Sequence, residues 1–179
     1  KAGQGSPSNP VKLAEMKDPT GRNHAAFPYL NESTGQFYII GGDENFPWGV
    51  QATKNKPSNP RGGYHFMNFT DPNNPREDAI YEVPEAGSHN LWVYGDILLA
   101  GNYQGGLRIV DISGELLGDI YKQGREIAHF LSYHKDGRIP NAPMVWGAQP
   151  YKDYIFFSDM NSGLYCVTYE DEQKTASAQ

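Results

Sequence analysis

The chain has 179 residues, a length that suits one domain, and is 38% hydrophobic, 13% aromatic and 20% charged. A formal net charge of −6 argues against a nucleic-acid partner, which needs a basic face. No stretch stays apolar for the ~18 residues of a spanning helix, and one cysteine, Cys166, leaves no internal disulfide and no cysteine-based zinc site.

With Gly 20 and Pro 13, the chain is rich in turns, as expected of many short strands. Its N-terminal part, residues 7–16, reads as a single outer strand: Ser8-Asn9-Pro10 through Met16 resembles Asn73-Asn74-Pro75 through Tyr81. Residues 24–83 follow as a unit of four strand-like runs, lengthened by an insertion from Phe46 to Arg61. Residues 89–123 form a second unit, with strands expected at Leu91–Tyr94, Ile97–Gly101, Leu107–Ile112 and Leu117–Tyr121. A connecting loop is expected over 124–143, a shorter last unit over 144–170 and a polar tail over 171–179.

These units repeat one another. The stretch from His89 aligns without a gap on the stretch from Trp146: Tyr94 meets Tyr151, Asp96 meets Asp153, Gly106-Leu107 meets Gly163-Leu164, and Val110 meets Val167. The stretch from His24 has the same order of apolar runs and turns. Four-stranded antiparallel units repeated at roughly sixty residues predict an all-β fold, a β-propeller built of such blades and present as a partial ring. No 3.6-residue period is sustained, which sets a helical solenoid aside.

"GGLRIVDIS" and "FTDPNNPREDAIYEV" resemble the LVIVD-repeat family of bacterial secreted or cell-surface β-propellers. Their blades carry a Leu-x-Ile/Val-Val-Asp-x-Ser core followed by Asp-Pro-x-x-Pro. The core matches at Leu107 to Ser113 and the turn at Asp71 to Pro75. "APMVWGAQPYKDYIFFSDMNSGLYCV" is similar to a closing blade, and the likeness runs from about Pro7 to Tyr169. It implies a propeller in an extracytoplasmic setting and names no activity. The ring it implies is open. The chain is then the C-terminal part of a longer propeller; or Val11–Met16 completes the last blade of its own chain; or it completes that of a second copy, giving six blades across a dimer. Another chain is the expected partner.

Candidate site residues follow from the repeat. His24 and His89 stand at equivalent places at the head of the first strand of their units, and Trp146 takes the third place. Two imidazoles beside Asp43 and Glu44 suggest a calcium or transition-metal ion; the competing reading has the His rings capping strand starts and Asp43 serving a turn. Asn102 and Asp159 are the counterparts of Asp43. Phe46 and Trp48 of the insertion, with Trp146, are candidates for contact with a partner or glycan. His129 and His134 are weaker metal candidates. No Gly-x-Ser-x-Gly, His-Glu-x-x-His or Walker motif is present. The expected function is therefore a non-catalytic extracytoplasmic scaffold or protein-binding subunit. The alternatives are a hydrolase or other metal-dependent enzyme with a His-lined central site, and a glycan- or ligand-binding surface protein.

Overall fold

A computed structural model describes residues 5–45, 62–84 and 86–169. Within them the chain is all-β: three mainly antiparallel sheets and no helix. No helix is long and apolar enough to cross a membrane. The first sheet carries β1 (Asn23–Asn31), β2 (Gln36–Asp43), β3 (Tyr64–Asn68) and β4 (Arg76–Tyr81) in that order. The second is built from β5 (Leu91–Tyr94), β6 (Ile97–Gly101) and β7 (Leu107–Asp111). A two-residue strand, β8 (Gly118–Asp119), comes next in the chain, then β9 (Glu126–Phe130). The third sheet is β10 (Val145–Tyr151), β11 (Tyr154–Asp159) and β12 (Gly163–Val167).

The fourth strand of the second sheet differs from expectation. It is β9, inside the segment read as a connecting loop, pairing antiparallel with β7 through Leu107↔Phe130 and Ile109↔Ala128. Leu117–Tyr121 does not fill that place; β8 within it pairs parallel with β4 of the first sheet. Burial explains the difference. Leu116 and Ile120 are buried between the first two sheets, so their apolar character serves the core and not a ladder. A turn closed by Gly124 N–H to the Tyr121 carbonyl, with Gly124 at φ 72°, then returns the chain to β7. Residues 7–16 also depart from the reading: a turn spans Ser6–Asn9, and residues 10–16 form no strand within this chain.

Alternation along the strands places two cores. Tyr38, Ile40, Tyr64, Phe66 and Tyr81 face Leu98, Val110 and Ile112 between the first and second sheets. Leu99, Leu107 and Ile109 face Val145, Ile155 and Phe157 between the second and third. Buried phenols are anchored across the gap: Tyr64 donates to the Gly101 carbonyl at 2.7 Å, and Tyr81 to Glu126 at 2.5 Å. Arg108 joins Glu126 at 3.1 Å, so one buried ion pair ties β7 to β9 and meets the first sheet through Tyr81.

The second and third sheets come closest at the strand heads. Asn90 N–H donates to the Trp146 carbonyl at 2.9 Å. Gly101 lies against that same peptide, where a Cβ would run into the Trp146 carbonyl and the Gly147 nitrogen. Gly101→Ala is therefore expected to cost about 2 kcal/mol or more by forcing these backbones apart. Urea denaturation measures it; an unchanged midpoint would show that the approach is loose.

Candidate functional site

Bulges aim the site. The ladder of β1 on β2 shifts register between Asn23 and Ala25, bracketing His24. The ladder of β10 on β11 shifts between Val145 and Gly147, bracketing Trp146. A bulge turns the extra side chain out of the regular alternation. The result is a row of rings across the three sheets: His24 and His89 have centroids 4.5 Å apart, and Trp146 stacks on His89 at 5.3 Å and 14°. The three positions that the repeat aligns in sequence are neighbours in space.

Glu44, just after β2, closes the group. Its carboxylate lies 3.3 Å from His24 Nδ1 and 3.6 Å from His89 Nε2. The ligand atoms of His24, Glu44 and His89 all fall within 4.8 Å of one another. The outer nitrogens are held from behind. His89 Nδ1 lies 3.0 Å from the Trp146 carbonyl, which only accepts, so Nδ1 carries the proton and Nε2 presents a lone pair. His24 Nε2 lies 3.1 Å from Asn90 Oδ1, leaving Nδ1 toward Glu44. Tyr103 Oη donates to Glu44 Oε1 at 3.3 Å, and burial followed by Glu44 pushes its own pKa up to about 12. Burial lowers the pKa of His89 below the ordinary value, and the neighbouring His24 adds to this against the Trp146 carbonyl and Glu44. A neutral imidazole lone pair thus faces a carboxylate oxygen, two acceptors that repel unless a cation lies between them.

Asp43 belongs to a different group. It points to the opposite face of β2 from its neighbours along the strand and bonds Thr20 Oγ1 at 2.7 Å, with His65 Nε2 at 3.3 Å. The expectation that it shares a metal with Glu44 is corrected here. His65 is held on its other side by Glu77 at 2.6 Å and is itself fully buried. Burial alone would lower the His65 pKa, but the two bonded carboxylates outweigh it and raise it to about 9. Burial opposes ionisation of Asp43, yet hydrogen bonds from His65 and Thr20 hold its pKa below the ordinary value.

The counterparts of Asp43 do similar structural work. Asn102 Nδ2 bonds the Gly87 carbonyl at 3.1 Å. Asp159 accepts from Met144 N–H at 2.8 Å, from Asn161 N–H at 2.7 Å and from the Ser132 hydroxyl. The bond from Asn161 N–H closes an Asx turn at Asp159. His129 sits 2.9 Å from Glu126, and His134 accepts from Asp136 N–H; among the described residues neither joins a three-ligand group. Phe46 and Trp48 lie outside the described residues. Asn90, Tyr103 and His65 escape a reading of the sequence. For the first two the only signals are adjacency to His89 and a Tyr set among turn residues in "GNYQGG".

No family model, curated protein or solved structure matches the chain.

The Asp43–His65–Glu77 group, buried at Asp43 and His65, sets a pH dependence. The folded His65 pKa of about 9 lies above its ordinary 6.5, so its contribution is full below about pH 6.5 and is lost as pH rises through 9. His65→Gln should cost ~3 kcal/mol at pH 6 and flatten the slope of stability between pH 6.5 and 9. Urea titrations across that range test it; a slope that survives the substitution would contradict the assignment.

Proposed function

We propose that the three sheets are blades of a β-propeller whose inner strand heads hold a first-row transition-metal ion on His24, Glu44 and His89, making it a metal-dependent protein of the kind that handles water or a substrate oxygen. The carrying observation is the convergence of two imidazoles and one carboxylate, with both outer nitrogens already bonded from behind. Metal bonds of about 2.1 Å set ligand atoms roughly 3 to 3.5 Å apart, close to the 3.3 and 3.6 Å found. Two nitrogens and one carboxylate suit zinc, iron or another transition metal; calcium takes oxygen ligands almost throughout.

Three protein ligands leave coordination positions open, the pattern of reactive metal sites and not of structural ones. A bound water there would lose its proton more readily, or a bound carbonyl or phosphoryl oxygen would be polarised. Asn90 and the Trp146 carbonyl serve as the outer hydrogen-bond partners that fix ring orientation. The propeller reading draws support from the order of the sheets, in which Phe27 of β1 meets Trp92 of β5 at 5.4 Å and Asn90, just before β5, bonds Trp146 of β10. The LVIVD likeness and the extracytoplasmic setting belong to this same reading.

The scaffold reading has its own observation: the third sheet exposes Tyr154, Phe156 and Leu164, an apolar face suited to another protein. The two readings are compatible.

Calorimetry with Zn2+ or Co2+ on the metal-stripped protein tests the metal. One equivalent should bind, His89→Ala and Glu44→Gln should abolish tight binding, and Asn90→Ala should weaken it about ten- to hundredfold. Equal binding by wild type and His89→Ala would sink the proposal.

A further inference from the structure

We propose that Val11–Met16 of one chain pairs with the outer edge of β12 in a second copy, as the outer strand of that copy's third sheet. The inference rests on the equivalence of the sheets and goes beyond the metal reading.

The first observation is a repeated turn. Before β4, Asn74 N–H donates to the Asp71 carbonyl at 3.1 Å. Before residue 10, Asn9 N–H donates to the Ser6 carbonyl at 3.0 Å. Each turn ends in Asn-Pro, and the residues after it correspond: Ala14 to Ala79 and Met16 to Tyr81. Ala79 and Tyr81 are buried members of β4. Ala14 and Met16 are the half-buried positions of their segment, with Leu13, Glu15 and Lys17 exposed around them. That is the alternation of a strand with one face covered. Yet within this chain residues 10–16 join no ladder, and Val11 and Leu13 stand 45% and 62% exposed.

The second observation is the matching deficit. In the first two sheets the third strand carries an outer partner, β4 on β3 and β9 on β7. Among the described residues β12 pairs with β11 alone, and none of them covers its other edge. An open edge accepts an added strand. Beside it lies an apolar face with Leu164 76% exposed, and the outer face of the first sheet exposes Leu30 and Phe37. The described residues therefore hold one outer-strand segment that joins no ladder and one sheet edge that carries no outer strand. A two-fold axis satisfies both at once, because each copy gives its strand and receives the other's.

The register is specific. Asp43 N–H donates to the Gly63 carbonyl, and Asp159 pairs with Gly163, so Tyr64 corresponds to Leu164 and Phe66 to Cys166. In the first sheet Tyr64 faces Tyr81 and Phe66 faces Ala79. Carried over, Met16 faces Leu164 and Ala14 faces Cys166 of the second copy. Directly opposed residues on neighbouring strands are close enough for a disulfide.

The test is Ala14→Cys in the full chain, with Cys166 the only other thiol. Mild oxidation should give a linked species of twice the 19.9 kDa of one chain. Thr34→Cys, in a turn away from β12, should not link. Sedimentation equilibrium should find the wild type dimeric and Leu13→Pro monomeric, with its zinc binding retained, since the ligand residues are untouched. A monomeric wild type, a dimer that fails to link through Ala14→Cys, or a disulfide closed within one chain would each overturn the proposal.

Discussion

The carbonyl of Trp146 is the point on which the arrangement turns. It accepts from Asn90 N–H at 2.9 Å and from His89 Nδ1 at 3.0 Å. The first bond fixes the separation of the second and third sheets; the second fixes the orientation of an imidazole. Gly101 is required because nothing larger fits against this peptide. Tyr64 reaches across from the first sheet to the Gly101 carbonyl at 2.7 Å, so all three sheets are registered at one backbone crossing. Loss of that crossing would release the ring of His89 together with the packing between sheets.

From this crossing the chemistry of the site follows. A carbonyl behind Nδ1 forces the lone pair of His89 onto Nε2, which is the nitrogen facing Glu44. Burial keeps the ring neutral, and the carboxylate stays half-exposed on the open side. The two carboxylates Asp43 and Glu44 are neighbours in sequence, yet Asp43 ends β2 facing His65 while Glu44, just past the strand, faces His24 and His89. Asp43 meets its opposite charge in a protonated His65 and is satisfied without help. Glu44 meets a neutral lone pair and has its charge uncompensated by His89.

Much of this was legible in the sequence. The repeat, the turns and the alternation gave three units with their first three strands, and they aligned His24, His89 and Trp146 before any contact was visible. The outer strand of the second sheet lies elsewhere than expected because Leu116 and Ile120 look like strand residues while filling a core, and because Glu126–Phe130 is short and buries none of its side chains fully. The acidic pair was legible as a candidate, but which carboxylate faces the imidazoles depends on a bulge and a pleat, and neither leaves a composition signal. Asn90, Tyr103 and His65 act through contacts between distant parts of the chain, or across a strand pair, so no local spacing announces them.

The central claim is that His24, Glu44 and His89 form one cation site, preset by the Trp146 carbonyl and Asn90. Crystals grown with Co2+, with diffraction recorded at the cobalt absorption edge, address it most directly. The account predicts an anomalous peak about 2.1 Å from His24 Nδ1, His89 Nε2 and a Glu44 oxygen, with both outer hydrogen bonds intact. An empty site in such crystals, or a peak that requires His89 to give up the Trp146 carbonyl, would contradict it.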